Sequence, residues 1–190
     1  KYWDRVIVGL STGNIDKDWT QTVELGTSLP SKRFKAIQNL QNAGINTFGM
    51  LCPVFPDIVK DNRVDELVEM INPENVETVW AEPYNDRENW KVVQSGFQPN
   101  TYLYNWFEDE YEKKLGIWSN YATELYVQLY EYAEKNGWII KLKYLLYENK
   151  INVIDAEKFS GLVGVLLQNK SGDDGFSKNK HIAELQKNTL

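Results

Sequence analysis

The sequence predicts an α/β fold of consecutive strand and helix repeats, and three observations carry that prediction. Short apolar strands alternate with segments of 3.6-residue periodicity, a pattern that favours parallel strand pairing with helices on the outside. The stretch from Ser31 to Pro56 encodes a helix, a glycine stop and a buried strand ending in prolines. The 190 residues are 42% hydrophobic and 13% aromatic, enough to bury a substantial core, yet fewer than the roughly 250 residues a complete eight-stranded barrel takes. The expected architecture is therefore a partial TIM-like (β/α) barrel with a helical C-terminal extension. Residues 1–95 hold the barrel repeats. Residues 96–190 add an aromatic insertion, a helix, a strand and further helices to the same domain.

Taken in order, Val6 to Ser11 reads as the first strand. Phe34, Ile37 and Leu40 recur at helical spacing, Ala36 and Ala43 keep neighbouring faces small, and Gly44 can adopt the left-handed conformation that ends a helix. Ile45 to Val54 follows as a strand. Asp61 or Asn62 is placed to cap a helix carrying Val64, Leu67, Val68 and Ile71 on one face, and Asn72-Pro73 stops it. Asn75 to Ala81 alternates apolar and polar residues as the third strand, ending at Glu82-Pro83-Tyr84-Asn85. Asn89 to Ser95 suits a short helix. Gly96 to Gly116, rich in Tyr, Trp, Asn and acidic residues, reads as a lid or an irregular helical insertion.

Ala122, Leu125, Tyr126, Leu129 and Ala133 form the clearest apolar stripe, closed by Asn136-Gly137. Trp138 to Tyr147 is the fourth strand. Asp155 is expected to cap a helix running to about Leu167, with Phe159, Leu162, Val163 and Leu166 on one face. Asn169 to Gly175 is a loop, and His181 to Gln186 a last helical turn. No fixed-period repeat and no low-complexity segment interrupts this order.

Charge and cysteine content narrow the function classes. A net charge of −6 argues against nucleic acid, because a duplex-binding face concentrates Lys and Arg. One cysteine, Cys52, excludes an intrachain disulfide framework, and no apolar run approaches the roughly 20 residues that span a bilayer. No membrane partner is expected and no signal peptide is visible, so a cytoplasmic location is the default. No His and Cys set has metal-ligand spacing, so the chain is expected to hold no metal, and no glycine-rich phosphate cradle occurs.

The strand Val6-Ile-Val-Gly-Leu-Ser11, the helix opened by Arg33 and the strand from Ile45 to Val54 together resemble the second half of a radical S-adenosylmethionine barrel, in particular its spore-photoproduct-lyase-like branch. The resemblance spans roughly Asp4 to Arg87. It implies that Ser11, at a strand end, and Arg33, on the following helix, hold the methionine carboxylate of S-adenosylmethionine. The physics is that of a guanidinium fork and a hydroxyl donating to an oxyanion. It further implies that Glu24, in Thr22-Val-Glu-Leu-Gly-Thr-Ser-Leu-Pro30, accepts from a ribose or an ammonium, although Leu25 stands where related branches often have proline. Glu82-Pro83-Tyr84-Asn85-Asp86-Arg87 resembles a strand-end loop of the family. That resemblance makes Glu82 a proton carrier or polar anchor and gives Asn85 and Arg87 the task of orienting substrate.

The family holds a 4Fe-4S cluster through Cys-x3-Cys-x2-Cys, a set of three thiolates that Cys52 alone cannot supply. The chain also begins at Lys1, so it reads as a piece of a radical S-adenosylmethionine enzyme, inactive without the cluster-binding half. Its expected partner is that missing N-terminal half, or another copy of itself. The cofactors belong to the parent protein, neither being expected to bind this chain stably alone, and no catalytic residue is assigned.

Each of these residues also has a plainer reading. Ser11-Thr12-Gly13-Asn14 suits a turn, Arg33 a solvated helix position, Glu24 a solvated loop carboxylate, and Glu82 to Arg87 a strand-ending turn. Cys52 suits a small buried hydrophobe, and Tyr102, Tyr104, Trp106, Phe107 and Tyr111 suit a helix packed over the barrel flank. Two other function classes fit the same residues. One is a carbohydrate-active barrel using Glu24 and Glu82, since Trp80-Ala-Glu-Pro resembles a glycosidase pattern. The other is a non-catalytic module docking a protein through the aromatic segment.

Overall fold

The computed structural model describes residues 5–147, 150–159 and 165–168. Five strands form one sheet in the order β1-β2-β3-β4-β5, and every neighbouring pair is parallel. They are β1 (Ile7–Thr12), β2 (Asn46–Val54), β3 (Val79–Pro83), β4 (Leu142–Tyr147) and β5 (Val165–Gln168). Between β1 and β2 lie α1 (Lys17–Val23) and α2 (Pro30–Asn42); between β2 and β3 lie α3 (Pro56–Lys60) and α4 (Val64–Glu69). The β3 to β4 connection carries α5 (Trp90–Gln94), α6 (Tyr102–Phe107), a π-turn at Glu108–Glu112 and the long α7 (Trp118–Lys135). α8 (Val153–Ala156) precedes β5. A right-handed crossover is the rule between consecutive parallel strands, and crossovers of one hand put their connecting helices on one face of the sheet.

Alternation along the strands shows the two faces. Leu51, Val79, Ala81, Leu142, Tyr144 and Leu146 are fully buried on the face that α2 and α7 cover. Gly49 sits on that face, and a Cβ there would run into the Ile71 side chain, so the glycine is what lets the helix layer close. On the other face Ile7 and Ser11 are exposed, while Phe48, Met50, Cys52 and Trp80 are half-buried. Gly9 lies on this open face beneath the Phe48 ring, which fills the space a side chain would need.

Several elements depart from expectation. β1 and β2 start one residue late. The third strand begins at Val79 and not at Asn75, because Asn72 turns left-handed (φ 54°) into a 3-10 turn at Pro73–Asn75 before the chain extends. α1 and α3 are short helices that the periodicity did not reveal. Asp61 and Asn62 do not cap α4; Arg63 occupies that position, with no side-chain cap bond, and Asn62 adopts φ 53°. Trp138 to Lys141 holds a 3-10 turn ahead of β4.

The largest correction is at the C-terminal end. Asn152, not Asp155, caps α8, accepting from the Asp155 amide at 2.8 Å. Asp155 is instead a buried acceptor for Ser119 Oγ at 2.6 Å. The helix expected to reach Leu167 ends within the 3-10 turn Glu157–Phe159, and Val165–Gln168 is a fifth strand. The apolar run has helical period, but a short apolar run suits a parallel strand equally well. Asn169 to Gly175 and His181 to Gln186 lie outside the described residues.

Candidate functional site

The C-terminal ends of β2 and β3, together with α1 and α5, line a cavity of about 310 Å³ whose lining includes Trp19, Glu24, Cys52, Glu82, Asn85 and Arg87. Parallel α/β sheets present their ligand-binding loops at this end. The predicted residues Ser11, Arg33, Glu82 and Arg87 do gather at one end of the sheet, Ser11 at the end of β1 and Glu82 near the end of β3.

At the β1 edge Arg33 organises the loop that follows α1. Its Nε donates to the Ser28 carbonyl at 2.8 Å, Nη1 to the Ser11 carbonyl at 3.1 Å, and Nη2 to Thr27 Oγ1 at 2.7 Å and to the Glu24 carboxylate. Thr27 Oγ1 also donates to the Glu24 carbonyl at 2.8 Å, and Gly26 supplies the left-handed turn at φ 79°. Ser11 Oγ donates to the Cys52 carbonyl at 3.1 Å. Ser11, Glu24 and Arg33 are thus one connected unit, and neither solvated reading of Glu24 or Arg33 holds. The expected role of Arg33 needs correcting: four of its five N–H donors are spent on the protein, so it fixes the loop and does not present an open fork. The turn reading of the β1 end is correct as far as it goes, because Thr12 Oγ1 donates to the Asn14 carbonyl at 2.9 Å and Asn14 Oδ1 accepts from the Asp16 amide at 2.9 Å.

The loop after β3 is gripped from α7. Trp118 Nε1 donates to the Tyr84 carbonyl at 2.6 Å. Tyr121 Oη accepts from the Tyr84 amide at 2.7 Å and donates to the Val54 carbonyl. Both backbone groups of Tyr84 are therefore held, which sets Glu82 on one side and Asn85 to Arg87 on the other.

Glu82, 9% exposed, is the centre of this half. Its Oε1 accepts from Tyr147 Oη at 2.6 Å and its Oε2 from Cys52 Sγ at 3.1 Å, while Arg87 Nη2 stands 3.7 Å from Oε1 and donates to Tyr147 Oη at 3.1 Å. β2, β3 and β4 each contribute one open-face residue here, Cys52, Glu82 and Tyr147. Burial, and then the neighbouring carboxylate, push the Cys52 thiol up to about 12 and raise Tyr147, so both arrive as protonated donors. Asn85, also buried, accepts from Lys150 Nζ at 2.6 Å. Beneath the β1 end, Asp57 accepts from Asn14 Nδ2 at 3.2 Å, and burial raises its pKa.

Sequence reasoning missed Cys52 and Tyr147 as members of the cluster. The signal available was parity: Cys52 and Tyr147 share the Glu82 face of adjacent parallel strands. The aromatic segment does not line this site. Trp106 and Phe107 are buried over the strand ends, against Tyr121 and against Phe55 and Tyr84, so neither is a free docking surface. Among the described residues no group of three or more His, Cys, Asp or Glu is arranged to hold a metal ion, and no helix is long and apolar enough to cross a membrane. No protein-family model matches the chain, and no curated protein or solved structure matches it either.

Proposed function

We propose that this chain forms the cofactor and substrate side of a radical S-adenosylmethionine barrel. The observation that carries this reading is the grouping of Ser11, Glu24 and Arg33 into one bonded unit beside the cavity that Glu82, Asn85 and Arg87 line. These are the positions the family resemblance selects. The consecutive parallel order, with helices on one face, supports treating the sheet as an arc of a TIM-like barrel.

The chemistry implied by the resemblance is reductive cleavage of S-adenosylmethionine at a four-iron cluster, and the cluster ligands must come from outside these 190 residues because Cys52 is the single cysteine. Within the chain, Glu24 keeps one carboxylate oxygen for an ammonium or a ribose hydroxyl, Oε2 being the oxygen engaged by Arg33. Ser11 retains acceptor capacity and Arg33 one N–H, so the carboxylate they were expected to hold has at most a single guanidinium donor here. Glu82 is a polar anchor at the substrate side, accepting from the Cys52 thiol and the Tyr147 phenol.

A second reading, a carbohydrate-active barrel, is favoured by Glu24 and Glu82 lining the same cavity. Against it, Glu24 is committed to Arg33. Equilibrium dialysis separates the two. Saturable S-adenosylmethionine binding that weakens about tenfold in Glu24→Gln, one charged hydrogen bond's worth, supports the first. Failure to bind at millimolar concentration, with turnover of aryl glycosides that both Glu24→Gln and Glu82→Gln abolish, supports the second.

A further inference from the structure

The loop from Asp86 to Trp90 is built to hold Arg87 in one place. Asp86 Oδ1 accepts from the amides of Asn89 and Trp90, at 3.0 and 2.9 Å, and closes a tight turn ahead of α5. Glu88, inside that turn, adopts φ 69°, a left-handed backbone that side-chain-bearing residues reach only when their surroundings impose it. Tyr84, at the start of the loop, is fixed at both backbone groups by Trp118 and Tyr121.

The side chain that this loop presents is half anchored and half open. Arg87 Nη2 donates to Tyr147 Oη and lies near Glu82, yet the Arg87 side chain is 73% exposed whereas that of Glu82 is 11% exposed. The guanidinium is therefore the outermost charge at this cavity mouth, above the carboxylate that steadies it. Tyr147 is its one hydrogen-bonded partner among the described residues, and the rest of its planar fork of donors faces outward. A fork anchored at one nitrogen and free at the others matches an oxyanion, which accepts two parallel N–H bonds. Asn89, exposed beside it in the cavity lining, adds a carboxamide donor. Arg87 is the cation of a lining that also holds Glu24 and Glu82, and it stands at the mouth with Glu82 beneath it.

We propose that Arg87, docked on Tyr147 and Glu82, is the recognition group for a small oxyanion on the substrate, a carboxylate or a monophosphate. The proposal deepens the reading of this cavity as the substrate side, and its test does not depend on radical chemistry. Acetate and methyl phosphate are titrated separately into the 15N-labelled chain, with chloride at matched ionic strength as the reference. The Arg87 Nε–H resonance, assigned by its loss in Arg87→Met, is followed. A saturable shift with one probe, tenfold or more weaker at the neighbouring Asn89 amide in Arg87→Met and a few-fold weaker in Arg87→Lys, supports the site. The tighter probe then names the oxyanion.

A shift no larger than that caused by chloride, or Asn89 binding unchanged in Arg87→Met, overturns the proposal. Arg87 is exposed, so folding is not at stake in either variant, and a Tm equal to wild type confirms it. S-adenosylmethionine is titrated in parallel and read at Glu24 and Arg33. Oxyanion binding without S-adenosylmethionine binding retires the cofactor reading alone. The reverse result retires this inference alone.

Discussion

The two faces of the same sheet are built on opposite terms. The helix-covered face is dry: Leu51, Val79, Ala81, Leu142, Tyr144 and Leu146 are fully buried, and beyond the strand ends this packing continues into the rings of Phe55, Tyr84, Phe107 and Tyr121. The open face carries Ser11, Cys52, Glu82 and Tyr147 at its C-terminal rim, each with a polar partner. One face contributes volume and the other contributes directed hydrogen bonds. Mutations on the first should therefore be read in stability, and mutations on the second in ligand binding.

The largest expected effect lies on the packed side. Phe107→Ala should cost about 3–5 kcal/mol in unfolding free energy, the range for emptying a fully buried aromatic site, and denaturant titration measures it. Tyr121→Phe keeps the ring but removes the hydroxyl that bridges the Tyr84 amide and the Val54 carbonyl, which remain bonded to each other at 3.0 Å, so a loss of about 0.5–1.5 kcal/mol is expected. It should also loosen the Glu82 to Arg87 loop, making this one residue where the two faces are coupled. A Tyr121→Phe variant as stable as wild type would break that link.

The open face is tested by reactivity. With its pKa pushed up to about 12, Cys52 holds far less thiolate than an ordinary cysteine, so alkylation by iodoacetamide at pH 8 should run about two to three orders of magnitude slower than in the unfolded chain. The sign of the linkage follows. A folded pKa above the unfolded value of 9.0 gives stability that is present below pH 9 and lost as pH rises toward 12, and Cys52→Ser should flatten that decline. The smallest effect is Arg87→Met, expected to change stability by less than about 0.5 kcal/mol because the side chain is exposed.

Much of the fold was legible because the relevant signals were local. Phe34, Ile37 and Leu40 with Gly44, and the stripe from Ala122 to Ala133, mark α2 and α7 through spacing and stop residues alone. The fifth strand was not legible, since Val165 to Gln168 is too short for its period to separate strand from helix. At the site, Ser11, Glu82 and Arg87 could be placed at or just beyond strand ends, and Arg33 at the start of α2, from sequence. The bonds among them could not. That Arg33 spends its donors on Glu24, Thr27, Ser28 and Ser11 depends on how the loop after α1 folds back on α2, and that Cys52 and Tyr147 close on Glu82 depends on register between strands distant in sequence.

The central claim, that the open-face strand ends form one ligand site, is tested most directly by an amide and side-chain shift map of the labelled chain titrated with S-adenosylmethionine. The account predicts saturable shifts confined to Ser11–Gly13, Glu24–Thr27, Cys52 and Glu82–Arg87, with Phe107 and Ala122 unmoved. No saturable shift, or shifts centred on the helix-side groove around Tyr102, Asn120 and Gln128, would contradict it.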